Sequence, residues 1–107
     1  MALPDQAEPL QRARLLATLS VGAGIIQLRQ MAPSLGVAAE LDAPFEAVAL
    51  GRSATAIARL HQLDRRLAST QGTGQETLTA LRARGRILVI SEALAEHSSY
   101  FDAGAPA

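Results

Sequence analysis

The chain has 107 residues, 49% of them apolar and 3% aromatic, and its ten arginines balance its ten acidic residues, so that the formal net charge is zero. This length predicts a single domain, residues 1–107, with a modest core. The lack of cysteine excludes disulfides and thiolate metal sites, and the zero net charge gives no indication of a polyanion partner bound by bulk charge. A composition rich in alanine and leucine favours helices, so the predicted fold class is all-α.

The first predicted helix covers residues 9–31. Pro9 suits a first helical position because its missing N–H costs nothing there, and Pro33 is expected to end the helix. Residues 1–8 are expected to be flexible. The apolar run within this helix is shorter than a membrane-spanning helix, which needs about 20 residues, and no convincing signal-peptide cleavage site follows it. We therefore expect a soluble, cytoplasmic protein without a membrane partner.

From residue 15 to residue 28 the first helix is apolar on nearly all sides, and such a helix is normally covered all round. Two further helices can cover about half of it, so we expect the other half to form an interface with a second copy of the chain. The alternative is a central helix in a compact three-helix bundle. The candidate interface residues are Leu15, Leu19, Gly22, Ile25, Ile26 and Leu28.

Two further helices are predicted after a connector, residues 32–43. The second helix runs from Pro44 to about residue 69, and the low helix propensity of Gly51 allows a bend within it. The third covers residues 74–101 and begins with a capping box, in which Thr73 and Glu76 satisfy each other's backbone N–H groups. An apolar seven-residue repeat in the third helix predicts a seam for another helix. Its members are Ala80, Ala83, Ile87, Ile90, Leu94 and Phe101. Residues 102–107 are expected to be flexible.

A short turn joins helices 2 and 3, which predicts an antiparallel hairpin with helix 1 packed along it. Folding about Gly72 makes the numbers of facing residues sum to about 144, because both helices have the same rise per residue. Leu63 then faces Leu81, and Ile57 faces Ile87. The scheme also pairs Leu67 with Leu78, Ile57 with Leu88 and Arg52 with Glu92.

Few residues could carry catalysis or bind a metal. His61 and His97 lie about 20 Å apart along the axis of the predicted hairpin. Glu92 and Glu96 precede His97, but the Glu-x-x-His pattern of a di-metal helical bundle is missing. Ser91 lacks the glycines of a nucleophile elbow. We therefore expect a non-enzymatic protein without a metal or other cofactor.

Six arginines lie near the predicted hairpin turn, between residues 59 and 86, and only Asp64 and Glu76 oppose them there. Charge asymmetry of this kind often marks an anionic partner, so weak nucleic-acid binding is one interpretation. The alternative is a solvated face, or ion pairs with the acidic residues of a neighbouring copy. The six candidates are Arg59, Arg65, Arg66, Arg82, Arg84 and Arg86.

The predicted architecture is similar to two kinds of protein. One is the oligomerising core of small viral packaging (terminase) subunits, which stack helical hairpins into rings and recognise DNA, although this chain has no separate helix-turn-helix domain. The other is the small helical chaperone of bacterial flagellar or type III export, which holds a helical segment of its client. The leading hypothesis is a homo-oligomeric assembly subunit that contacts nucleic acid weakly. The alternatives are a chaperone or adaptor for a helical segment of another protein, and a small enzyme.

Overall fold

The computed structural model describes residues 4–70 and 74–103, and nearly all of them are helical. No strand occurs within these ranges, so the predicted all-α class is confirmed. The elements are α1 (Pro4–Leu35), a 3₁₀ turn (Ala38–Leu41), α2 (Asp42–Ala49), α3 (Ser53–Ala68), α4 (Gly74–Glu96) and α5 (Ser98–Ala103).

The first helix is longer at both ends than its sequence predicts. It begins at Pro4, within the segment expected to be flexible, and Pro33 lies inside its last turn. The helix ends at Gly36 instead, which has a φ of +72°. The Gly36 N–H donates to Pro33 O at 3.2 Å and the Val37 N–H donates to Ala32 O at 3.1 Å. These two bonds form a Schellman motif, which satisfies the last carbonyls of the helix and explains why a glycine, and not the proline, ends it.

The second predicted helix is two helices, because the chain breaks where only a bend was expected. Gly51 has a φ of +69°, which an ordinary side chain rarely adopts. The Gly51 N–H donates to Val48 O at 3.0 Å and the Arg52 N–H donates to Ala47 O at 2.8 Å. This is a second Schellman motif, and it ends α2 before α3 begins at Ser53.

Asp102 provides the cap at the start of α3, across 49 residues of sequence. Its Oδ1 accepts hydrogen bonds from the Ser53 N–H at 3.0 Å and from the Ser53 hydroxyl at 2.7 Å. These bonds, first from the hydroxyl and then from the backbone, lower the pKa of the Asp102 carboxyl below its ordinary value. Asp102 and Ala103 belong to α5, so the predicted flexible tail begins with ordered helix; its last four residues lie outside the described ranges. A turn at His97 separates α5 from α4, where one continuous helix was predicted.

The core forms where α4 packs against α1 and α3. From α4 it takes the predicted apolar repeat, of which Ala80, Ala83, Ile87, Ile90 and Leu94 are all buried. From α3 it takes Leu60, Leu63 and Leu67, and from α1 it takes Val21, Leu28 and Ala32. The molecule measures 60 × 27 × 18 Å, and its radius of gyration of 15.5 Å exceeds the value of about 13 Å expected for a compact domain of this length. It is therefore a thin, elongated molecule with a large surface for its core.

The facing residues of α3 and α4 differ from the prediction. Arg84 Nε donates to Asp64 Oδ1 at 2.9 Å, so the numbers of this pair sum to 148 instead of 144. Leu81 is 56% exposed, and the other two leucines that were expected in the hairpin core, Leu78 and Leu88, are exposed as well. The prediction that these three leucines are buried against helix 2 is therefore wrong. The predicted turn at Gly72 and the Thr73 capping box lie outside the described residues.

Candidate interaction surfaces

The first helix carries an apolar stripe on the side that faces away from the core. Leu15, Leu19 and Ile26 are 57%, 59% and 60% exposed, and Gly22 continues their 4, 3, 4 spacing. The buried residues of α1 follow the same spacing two positions later, which is about 200° around the helix. These are Ala17, Val21, Gly24 and Leu28, and Ala32 follows them one turn later. We call the exposed stripe formed by Leu15, Leu19, Gly22 and Ile26 the α1 face.

Two of the six residues predicted to form an interface between copies belong to the core of the molecule itself. Leu28 is 2% exposed, and Ile25 is half-buried against the core cluster. The other four are the residues of the α1 face, and all of them are exposed. The apolar pattern of α1 thus divides between a side that packs on α4 and a side that meets solvent.

Two glycines of α1 have different surroundings. A Cβ at Gly24 would lie 2.7 Å from Ile90 Cγ1, so glycine is what allows α1 and α4 to approach closely. A Cβ at Gly22 would meet no atom within 4 Å among the described residues. Glycine in a helix costs about 1 kcal/mol relative to alanine, and nothing in the packing of the subunit accounts for that cost at position 22.

A second exposed stripe runs along α4. Leu78, Leu81 and Leu88 are exposed, and Gly85 continues their 3, 4, 3 spacing. A Cβ at Gly85 would also meet no described atom within 4 Å. We call this stripe, Leu78, Leu81, Gly85 and Leu88, the α4 face. Sequence reasoning had assigned its leucines to the core.

The segment Glu8–Leu35 of α1 is long and apolar enough to cross a membrane, judged by length and composition alone. Only 28% of its most apolar window is buried in the subunit. The core helix of a soluble protein and a signal sequence pass the same test, so this is weak evidence for a span. The expectation that the chain has no membrane partner stays a prediction.

The six candidate arginines do not form one uniform basic surface. Arg84 is half-buried and bonded to Asp64, and Arg66 forms an ion pair with Glu40 of the 3₁₀ turn. The remaining four, Arg59, Arg65, Arg82 and Arg86, are exposed and form no ion pair with any described residue. Sequence reasoning missed Glu40 because it lies outside the predicted hairpin.

A groove of about 770 Å³ lies between α3 on one side and α2 with the 3₁₀ turn on the other. A smaller depression of about 90 Å³ continues it toward Arg52 and shares Ala43, Thr55 and Arg59 with it. We call the two together the α3 groove. Its lining includes Glu40, Ala43, Ala58, Arg59, Leu63 and Arg66.

The residues considered for catalysis or metal binding are not brought together. Within the two described ranges, no group of three or more His, Asp or Glu side chains is placed to hold a metal ion. His61 is exposed on α3, whereas His97 lies at the junction of α4 and α5 with its Nε2 3.9 Å from Glu96 Oε1. Ser91 is buried, and its hydroxyl contacts no hydrogen-bond partner among the described residues.

Comparison with models of protein families, with curated proteins and with solved structures finds no match to this chain. A function therefore has to be inferred from the α1 face, the α4 face, the arginines and the α3 groove.

Proposed function

We propose that this protein is a non-enzymatic assembly subunit that forms a homo-oligomer through its α1 face. The observation that carries the proposal is the regular stripe of Leu15, Leu19 and Ile26 opposite the core, with Gly22 open to solvent within it. Apolar residues at 4, 3, 4 spacing are the pattern with which one helix packs along another. A glycine in such a stripe allows two backbones to approach closely.

The size of the stripe suits a stable contact. Leu15, Leu19 and Ile26 are each more than half exposed, and so is the neighbouring Leu16. Contiguous apolar patches of roughly 300–600 Å² on a monomer are often functional. A standard interface covers about 800 Å² on each partner, of which somewhat more than half is apolar. The α1 face together with Leu16 can therefore supply much of the apolar part of one such interface.

The proposed architecture places α3 and α4 as an antiparallel hairpin with α1 along α4. The Arg84–Asp64 and Asp102–Ser53 contacts support opposite directions for the two hairpin helices, because the later residue of α4 or α5 meets the earlier residue of α3. Two copies joined by a two-fold axis through the α1 face would cross near Gly22, since this residue lies close to the middle of the stripe.

Solution mass is the direct test of this proposal. Wild-type protein should exceed the monomer mass in light scattering at micromolar concentration. Ile26→Asp should reduce the mass to that of a monomer with unchanged helicity, because Ile26 is exposed in the subunit and an unpaired charge is costly only inside an interface. Leu88→Asp is the matched control, since Leu88 is similarly exposed but lies on the α4 face.

Three results would contradict the proposal or move the interface. A wild-type monomer at high micromolar concentration would remove self-association altogether. A normal oligomer in Ile26→Asp would exclude the α1 face. Dissociation caused by Leu88→Asp alone would assign the interface to the α4 face.

Weak nucleic-acid binding is the second candidate function, and the exposure of Arg82 and Arg86 favours it. They lie four residues apart, so they share one side of α4. Each oligomer would repeat this pair, and the phosphate contacts would multiply with copy number. Titration of labelled duplex DNA should show binding at low salt that falls steeply as salt rises. Loss of both the affinity and the salt slope is expected in R82Q/R86Q, with the oligomer intact; no binding at low salt by an intact oligomer would exclude this function.

A further inference from the structure

Three arginines lie seven residues apart in the sequence, two of them within α3 and one directly before its first residue. Arg59 and Arg66 lie about 10.5 Å apart along the axis of α3 and about 20° apart around it, and Arg52 directly precedes the helix, seven residues before Arg59. All three line the α3 groove, and Arg59 lies where its two parts join. The groove therefore has a row of positive charges with a regular spacing along one wall.

Apart from Thr55 and Gln62, small or apolar residues line the rest of the wide part of the groove. Ala43 and Pro44 lie on the α2 side, and Ala54, Ala58 and Leu63 lie on the α3 side. Alanines at these positions leave room for the backbone of another helix, because the distance between packed helices falls toward 8 Å when the contacting side chains are small. The row spans residues 52–66, a length of about 21 Å that matches four turns of a partner helix.

The charges of the groove are only partly neutralised by the subunit. Glu40 forms an ion pair with Arg66, so one position of the row already holds a carboxylate. Arg52 and Arg59 form no ion pair with any described residue, although Glu46 borders the same depression. Two of the three positions are thus open to an acidic group from outside.

We propose that the α3 groove binds an amphipathic helix of another protein that carries acidic residues seven positions apart. Such residues recur on one side of a helix with the same interval of about 10.5 Å as the arginine row. A second copy of this chain does not fit, because no two of its ten acidic residues are seven positions apart. The exposed alanines between the charges, Ala54 and Ala58, favour the apolar side of a helix over a sugar–phosphate backbone.

The test uses two fluorescent helical peptides of about three heptads and identical composition. One carries its glutamates seven positions apart beside an alanine- and leucine-rich stripe, and the other carries the same glutamates at irregular spacing. Fluorescence anisotropy should show at least tenfold tighter binding of the regular peptide, with an affinity that falls as salt rises. Arg59→Gln should weaken this binding about tenfold, whereas Arg86→Gln, an exposed arginine of α4 outside the groove, should not change it.

Glu40→Gln gives an independent check, because removing the internal carboxylate frees Arg66 for the peptide. This variant should bind the regular peptide several-fold more tightly than wild type. Circular dichroism of each variant should match wild type, since exposed ion pairs contribute little to stability.

Several outcomes would overturn the proposal. Equal affinity for the two peptides would show that the spacing of the arginines does not determine the affinity. Equal losses of peptide affinity in Arg59→Gln and Arg86→Gln would show that the overall charge of the protein, and not the groove, determines the affinity. Complete displacement of the regular peptide by duplex DNA at low concentration would assign the groove to nucleic acid. Ile26→Asp should bind the peptide as wild type does, so the groove and the proposed self-association can fail separately.

Discussion

Replacing each of the two glycines by alanine would separate the packing within one subunit from the packing between subunits. Alanine in a helix interior is about 1 kcal/mol more favourable than glycine. At position 24 the new methyl group would lie 2.7 Å from Ile90 Cγ1 and 2.9 Å from Ile90 Cδ1, and Ile90 is fully buried. Overpacking of this kind costs about 1–3 kcal/mol, so Gly24→Ala should lower the free energy of unfolding by about 1 kcal/mol after the helix gain is subtracted.

At position 22 the only effect within one chain is the higher helix propensity of alanine, because no described atom lies within 4 Å of the new methyl group. Gly22→Ala should therefore raise the free energy of unfolding of the subunit by about 1 kcal/mol. In the proposed oligomer the same methyl group would stand between two α1 helices and hold them apart. The dissociation constant of the oligomer should rise at least tenfold, which corresponds to about 1.4 kcal/mol.

Urea unfolding, monitored by circular dichroism, would measure the change in the free energy of unfolding of a single chain. Both substitutions would be made in the Ile26→Asp background, which removes the concentration dependence of an oligomer. Light scattering over a dilution series, with Ile26 unchanged, would measure the dissociation constant of the oligomer. An oligomer that Gly22→Ala leaves intact or tightens would refute a close helix crossing at the α1 face. A Gly24→Ala subunit more stable than its parent would refute the close approach of α1 and α4.

Two further predictions concern stability. Leu60→Ala should lower the free energy of unfolding by about 2–5 kcal/mol because Leu60 is fully buried, whereas Leu81→Ala should change it by less than about 0.5 kcal/mol; urea midpoints of the two variants check this contrast. The lowered pKa of Asp102 means that its ionised form stabilises the fold, and this contribution should be complete above the ordinary carboxyl pKa of 3.8 and disappear as the pH falls through the lowered value. Urea midpoints of wild type and Asp102→Asn should therefore differ at pH 6 and converge in strong acid, and a difference that persists there would exclude the ionised cap as its cause.

The helical class and the core side of α4 could be predicted from the sequence, but the ends of the helices could not. The repeat from Ala80 to Leu94 has the spacing of a buried seam, and its burial confirms that prediction. The ends depend on backbone conformation at Gly36 and Gly51, where the positive φ angle becomes visible only in the structure. The first end was misplaced at Pro33: a proline removes a helix hydrogen bond and crowds the carbonyl four residues earlier, but the helix continues to Leu35 and the positive φ of Gly36 ends it.

The sides of α1 and α4 that face solvent could not be assigned from the sequence because leucines occur on both sides of each helix. In α4, Leu81 and Leu88 each directly follow a buried residue of the apolar repeat, so both fit a wider apolar stripe. Only the position of α3 determines that they stay exposed. The pairing of Asp102 with Ser53 was equally out of reach, since no local pattern connects residues 49 positions apart. Arg52, Arg59 and Arg66 could have been noticed by their spacing, but their groove depends on the break at Gly51.

The contact between Asp102 and Ser53 also determines when the start of α3 can be capped as the chain is synthesised. A ribosome adds about 5–20 residues per second, so the 49 residues that separate Ser53 from its cap take about 2–10 s to synthesise. Helix–coil relaxation takes about a microsecond, so the segment that becomes α3 samples helical and open states many times before its carboxylate partner exists. The first residues of α3 therefore acquire their cap only after both α3 and α4 have been made.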